Sequence, residues 1–360
     1  MSLLGFEGFD DMSNFPEQLL GGGQWVNGTP TNGLGYWLAT SGGATKNAGQ
    51  LGGSALGLQT NGQYFVWFNN NYTRLIVGFR FRTGTSVVAN SDLIAFGDGN
   101  SSIQTLVNQK AQLGLSINAS NHLFVWGSNA IATVLGTGTT TLATGSWYYV
   151  EIDCTFNSST GSVTVRLNGS GTEISASGNT GGSGNNRANM FIINPYTTNG
   201  ITCWYDDMYL LDPTTGSSPF TSMLGVCRVE TLFPTSNDVV AWTPQASTNV
   251  SRVQEVTIDG DTTYNSIASS GQDTFNIGSL VSTPVTIFAT AVRASIRKDD
   301  VTGVSAQTTL KSGATTQQGV SFGQNSTYQT MRDIYVNDPN TGSPWIATNV
   351  NASKIGYNRI

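Results

Sequence analysis

The stretch Trp147-Tyr148-Tyr149-Val150-Glu151-Ile152-Asp153-Cys154 decides the fold class. Successive side chains of a strand point to opposite faces, so Tyr148, Val150, Ile152 and Cys154 share one face and Tyr149, Glu151 and Asp153 the other. Arg74 to Arg82 repeats the pattern, its last five residues alternating small or basic with aromatic. Further strand candidates cover 34–38, 55–59, 63–68, 92–96, 112–117, 122–126, 161–168, 189–194 and 202–211. Asn-Gly pairs at 27–28, 32–33, 61–62, 168–169 and 199–200 supply the turns that short antiparallel strands need. About eleven strands in the first ~210 residues make an antiparallel sandwich or jelly roll.

A second block of strand candidates follows at 226–232, 252–258, 273–278, 285–297, 304–311, 318–322, 328–336 and 354–359. Helical periodicity is almost absent from the 360 residues; a short helix across 344–353 is expected, with Pro344 at its first turn and Ile346 and Val350 one turn apart. The expected fold is therefore all-β: two antiparallel, jelly-roll-like β-sandwiches, with domains at 1–215 and 216–360. An internal correspondence supports the division. Asp207-Met208-Tyr209-Leu210-Leu211-Asp212-Pro213-Thr214-Thr215-Gly216-Ser217 recurs as Asp333-Ile334-Tyr335-Val336-Asn337-Asp338-Pro339-Asn340-Thr341-Gly342-Ser343, each a strand running into the same turn. These are read as equivalent closing strands of the two sandwiches.

Composition narrows the function classes. The net charge is −6, charged residues make up only 11%, and the chain carries 43 Gly, which argues against a nucleic-acid partner. The acidity is uneven: the first 227 residues hold 7 basic and 12 acidic side chains, the remainder 9 and 10. No apolar run is long enough to span a bilayer, so no membrane insertion is expected. The first eleven residues lack the features of a secretory leader. Cys154, Cys203 and Cys227 have neither disulfide nor metal spacing and read as small core residues.

Several side chains are candidates for chemistry. Glu151-x-Asp153 places two carboxylates on one strand face, the arrangement glycan hydrolysis uses. His122, the single histidine, has no partner in sequence and reads as a surface imidazole. Trp25, Trp37, Trp67 and Trp126 are candidates for a sugar-stacking platform, because an aromatic face packs on the apolar face of a pyranose. Asp10, Asp11, Asp206 and Asp207 supply oxygen ligands of the kind calcium takes. Strand edges rich in Asn, Ser and Thr lack charged protection against pairing. Residues 228–360 are accordingly expected to carry the larger contact with other copies, with Trp345 at its core and Tyr335 nearby.

Two family resemblances add to this reading. Gly145-Ser146-Trp147-Tyr148-Tyr149-Val150-Glu151, followed by Gly161-Ser162-Val163-Thr164-Val165-Arg166-Leu167-Asn168-Gly169, is similar to a strand and hairpin of the laminin-G-like members of the concanavalin A-like lectin/glucanase superfamily. The resemblance implies a lectin-like sandwich with calcium as an option at its rim. Some hydrolases of that superfamily carry Glu-x-Asp-x-x-Glu, and Phe156 stands where the third carboxylate would be. The C-terminal block resembles the β domain of tailed-phage structural proteins through Arg228-Val229-Glu230-Thr231-Leu232-Phe233-Pro234, Ala241-Trp242-Thr243-Pro244, Asp259-Gly260-Asp261-Thr262-Thr263-Tyr264 and Asp338-Pro339-Asn340-Thr341-Gly342-Ser343. Together they imply a virion structural protein, assembled in the host cytoplasm and exposed on the particle as a tail fibre, tail tip or capsid decoration. Its partners would be other copies, other virion proteins and host surface polysaccharide, and enzymatic activity is not expected. The competing reading is a polysaccharide depolymerase or a secreted carbohydrate-binding adhesin.

Overall fold

The computed structural model describes residues 3–10, 34–39, 44–51, 53–58, 64–84, 90–98, 111–127, 133–182, 184–193, 202–256, 259–299 and 301–360. These are almost entirely β-structure, in antiparallel sheets, as the alternation predicts. Among the described residues no helix is long and apolar enough to cross a membrane. The chain divides into two compact units, with the main break between Val229 and Glu230.

The first unit contains β1 (Leu3–Glu7), β2 (Leu34–Ala39), β3 (Ala44–Ala48), β4 (Ser54–Leu58), β5 (Tyr64–Tyr72), β6 (Arg74–Thr83), β7 (Ser91–Gly97), β8 (Ala111–Ile117), β9 (Leu123–Gly127), β10 (Val134–Thr137), β11 (Trp147–Thr155), β12 (Gly161–Leu167), β13 (Thr172–Gly178), β14 (Ala188–Ile193) and β15 (Cys203–Leu211). One sheet has eight strands in the order β13-β12-β11-β6-β15-β4-β3, with β1 also paired to β15; the other has seven, in the order β10-β9-β8-β7-β14-β5-β2. Their facing sides form the core. Leu75, Val77, Phe79 and Phe81 of β6 and Tyr205 of β15 lie in it fully buried, and the Tyr205 hydroxyl crosses to the other sheet to donate to the Leu93 carbonyl at 2.9 Å. Phe156, just past β11, packs edge-on against Phe96 at 5.4 Å, and Phe96 meets Phe191 at 5.6 Å. Each such ring contributes roughly 1.5–3 kcal/mol by leaving water. Asn168 and Gly169 both take positive φ in the turn between β12 and β13, the conformation for which an Asn-Gly pair is suited.

The second unit holds β16 (Pro234–Val239), β17 (Thr243–Pro244), β18 (Asn265–Ser266), β19 (Gly271–Ile277), β20 (Thr290–Ile296), β21 (Ser305–Ser312), β22 (Thr315–Gln318), β23 (Phe322–Gly323), β24 (Gln329–Tyr335), the helix α1 (Ala347–Ala352) and β25 (Lys354–Arg359). A six-stranded sheet, β16-β19-β25-β21-β22 with β23 on β21, supplies Phe275, Ala306, Leu310 and Tyr357 to cores completed by Val292 and Ile296 of β20 and Met331 of β24. The β20–β24 ribbon is thus the thin second layer of a lopsided sandwich.

Three expectations about elements need correction. Residues 226–232 form no strand: 224–229 is a strap held by hydrogen bonds from its backbone amides to side chains. Of the expected strand at 252–258, the described residues 252–256 form none, and a 3₁₀ turn at Val250–Arg252 occupies the start of that region; 257 and 258 lie outside the described residues. The repeated motif does give the same turn twice. Asp212 accepts from the Thr214 amide and the Thr215 hydroxyl, and Asp338 from the Asn340 amide and the Thr341 hydroxyl. The strands before the turns are not equivalent, because β15 is flanked on both sides in an eight-stranded sheet whereas β24, among the described residues, pairs with β20 alone.

Candidate functional site

Strand order brings residues together on the outer face of the eight-stranded sheet. β11, β6 and β15 are neighbours, and the register places Trp147 beside Arg82 and Arg82 beside Trp204. This rung lies at one end of all three strands, since β11 begins at Trp147, β6 ends at Thr83 and β15 begins at Cys203. The Arg82 guanidinium carbon sits 5.1 Å from the Trp147 ring centroid and 4.5 Å from that of Trp204, within cation–π range of both. All three side chains are half-buried. The result is an aromatic–cation–aromatic row, partly exposed, at one end of the three strands.

The next positions along the same face are polar and closed. Arg80 lies over the Tyr149 ring at 5.3 Å, and its Nε donates to Asp207 Oδ2 at 2.8 Å. Asp207 has a left-handed backbone, φ +50°, where the β15 register shifts between Asp206 and Tyr209, a conformation more often given to Gly or Asn. Asp206 is 4% exposed. Burial, and then the adjacent Asp207 carboxylate, hold its carboxyl above the usual range. The strap closes the rest. The Leu224 amide donates to the Tyr209 hydroxyl at 3.1 Å, the Gly225 amide to Glu151 Oε1 at 2.8 Å and the Val229 amide to Asp207 Oδ1 at 2.9 Å.

The residues expected from sequence fall in different places. Glu151 is 1% exposed and accepts from the Tyr209 hydroxyl at 2.5 Å as well as from the strap, so it lines no open cleft. Asp153 is bound bidentately by Arg74, at 2.9 and 2.6 Å. His122 Nε2 meets the Thr141 hydroxyl at 3.0 Å. Cys154 and Cys203 are buried and Cys227 half-buried, all as free thiols; burial pushes the Cys203 and Cys227 thiols up to about 12.

Trp126 is corrected as a sugar contact. It is fully buried over Gly114, and its indole N–H reaches Ser116 Oγ at 2.8 Å and Asp92 Oδ1 at 3.1 Å, so no ring face is free. Trp37 and Trp67 stand in β2 and β5; Trp25 and Asp11 lie outside the described residues. Trp345 is likewise corrected as an interface residue. It is 3% exposed within its own unit, packs with Val292, Leu310 and Val350, and donates to the Tyr335 carbonyl at 2.9 Å. Tyr335 packs half-buried against the same cluster.

The described aspartates offered for calcium already carry hydrogen bonds or an ion pair. Asp10 Oδ1 accepts the Ser54 amide at 2.7 Å, Asp206 Oδ1 accepts the Asp207 amide at 2.8 Å, and both Asp207 oxygens are engaged, one by the cation Arg80. Among the described residues no group of three or more His, Cys, Asp or Glu is arranged to hold a metal ion. Sequence reading missed the Trp147–Arg82–Trp204 row. Each residue lies on a strand recognised from its alternation, but their adjacency is a property of strand order.

No protein-family model and no curated protein matches the chain. Among solved structures it is similar to domain 4 of AbnA, an extracellular arabinanase from Geobacillus stearothermophilus in complex with arabinotriose. There the identity is 14%, with 59% of this chain and 92% of that one covered and a TM-score of 0.37. It is also similar to a carbohydrate esterase from Shiga toxin-encoding bacteriophage phi24B, at 16% identity over 58% and 99% with a TM-score of 0.35. Alginate lyase Aly36B in complex with alginate tetrasaccharide follows at 10% identity over 43% and 80%, TM-score 0.31. These are carbohydrate-binding or carbohydrate-active proteins, and no family match points to a phage tail. The expectation that the chain is not an enzyme is withdrawn, because an esterase and a lyase stand among the structures it is similar to.

Proposed function

We propose that the chain is a glycan-binding protein of a virus-particle surface, and that the first unit holds saccharide at the Trp147–Arg82–Trp204 row. The observation that carries this reading is the row itself: two half-buried indoles flanking a cation on the outer face of the sheet. Indole faces stack on the apolar faces of sugar rings, and a guanidinium donates to their oxygens. The particle placement is supported by the sequence resemblance of the second unit to tailed-phage β domains, with other copies and other virion proteins as partners there. Titration of the full chain against a panel of oligosaccharides is the test. Trp147→Ala and Trp204→Ala are each expected to weaken the bound sugar at least ~tenfold, as loss of an anchoring Trp does. No binding across the panel, or binding by both variants as tight as the parent's, overturns the reading; detection of the chain in purified particles tests its location.

A glycan-active enzyme is the second reading, favoured by Asp206. It lies two positions from Trp204 on the same face, about 7 Å along the strand, and its raised proton affinity suits a general acid that substrate reaches only by displacing the residues over it. Release of reducing ends from a panel polysaccharide, lost in Asp206→Asn, would establish this reading. Its absence from every polysaccharide the chain binds would remove it.

A further inference from the structure

Among the described residues of the first unit, three arginines are ion-paired and Arg82 is not. Arg74 pairs with Asp153 at 2.6 Å, Arg80 with Asp207 at 2.8 Å and Arg187 with Asp98 at 3.2 Å. Arg82, between the two indoles, faces no carboxylate among the described residues. Its Nε and the neighbouring Trp204 Nε1 are buried donors without an acceptor among the described residues. A buried N–H with no acceptor is costly, and a cation that lacks its counter-charge in a chain of net charge −6 stands out from its surroundings. The residue type also matters. A guanidinium can stack flat between indoles and still offer its edge as a fork to two oxygens, which a lysine ammonium cannot do.

The geometry points to a sugar bearing an anionic group as the ligand of this row. A carboxylate of a uronic or sialic acid, or a sulfate, would be taken on the outer edge of Arg82 while the ring rests against Trp147 or Trp204. This inference rests on the row being the glycan site and adds the charge of the glycan. A nucleic-acid phosphate backbone fits less well, because one cation in an acidic unit cannot neutralise a run of phosphates.

The test compares charged and neutral forms of the same sugar by calorimetric titration of the full chain. The probes are a hexamer of galacturonic acid against its methyl ester, sialyllactose against lactose, and a sulfated against an unsulfated galactan hexamer. At least one anionic member is expected to bind roughly tenfold more tightly than its neutral counterpart, with the preference shrinking at high salt. Arg82→Gln is expected to erase the preference, bringing the affinity of the anionic form down to that of its neutral counterpart. Arg166→Gln, which removes an exposed cation elsewhere on the same sheet, should leave the preference intact, and thermal melts show whether each variant is folded. Equal binding of charged and neutral forms, or a preference that survives Arg82→Gln, overturns the inference but leaves the glycan reading standing. Absence of binding to every sugar overturns both.

Discussion

At the scale of single residues, burial decides more than charge count. Asp92 lies 2% exposed, with Oδ1 bound by the Ser116 hydroxyl and the Trp126 indole, while Oδ2 has no partner. Burial pushes its carboxyl up to about 7, and the hydrogen bonds from Ser116 and Trp126 pull it down only in part. The folded pKa therefore exceeds the unfolded one, and the native state holds more protons across the window from about 4 to about 7. Stability should fall as pH rises through that window and then level off. Asp92→Asn keeps the Oδ1 acceptor and removes the charge, although its amide brings an unmet donor of its own. The variant should be more stable than the parent at pH 8 by about 1–3 kcal/mol, with the difference shrinking as pH falls toward 4. Denaturant melts at several pH values check this, and a difference that does not change with pH would show that Asp92 is ionised in the fold.

At the scale of elements, the strap and the strand beneath it depend on one small residue. Gly78 of β6 lies between Glu151 of β11 and Tyr209 of β15, and a Cβ at that position would run into the Tyr209 ring. The ring must lie flat across Gly78 for its hydroxyl to reach both Glu151 and the Leu224 amide. Gly78→Ala should displace Tyr209, loosen residues 224–229 and cost about 1–3 kcal/mol, the usual range for overpacking. Hydrogen exchange should show the Leu224 and Gly225 amides losing protection ahead of the sheet, and unchanged protection would refute the dependence. This arrangement also marks what could be read from the sequence. The strands were legible because alternation is local: Trp147 to Cys154 needs only its own order to reveal two faces. The strap was not, because its hydrogen bonds go to side chains 15 to 74 residues away rather than to a ladder. The Trp147–Arg82–Trp204 row was hidden for a related reason: Trp204 follows Trp147 in sequence by 57 positions, and only the pairing of β11 and β15 with β6 makes them neighbours of Arg82.

At the scale of the whole molecule, each unit closes a core from its own stretch of chain. Phe79, Phe81, Phe96, Phe156 and Tyr205 lie buried before Val229, and Phe275, Leu310, Met331, Trp345 and Tyr357 after it. The polar supports are equally local. Asp273, fully buried, accepts the Ala241 and Trp242 amides at 2.7 and 2.9 Å and the Asn249 side-chain amide at 2.7 Å, all within residues 230–360. A lesion in one core should therefore register in the melting of that unit. Phe96→Ala removes a ring that meets both Phe156 and Phe191, and Trp345→Ala empties a site among Val292, Leu310 and Val350; each should cost roughly 3–5 kcal/mol. Calorimetry of the full chain is expected to resolve two components, one lowered by Phe96→Ala and the other by Trp345→Ala. The assignment can be checked through binding, since a saturating sugar at the Trp147–Arg82–Trp204 row should raise only the component that Phe96→Ala lowers. A single transition moved equally by both substitutions would mean that the two units fold as one cooperative body.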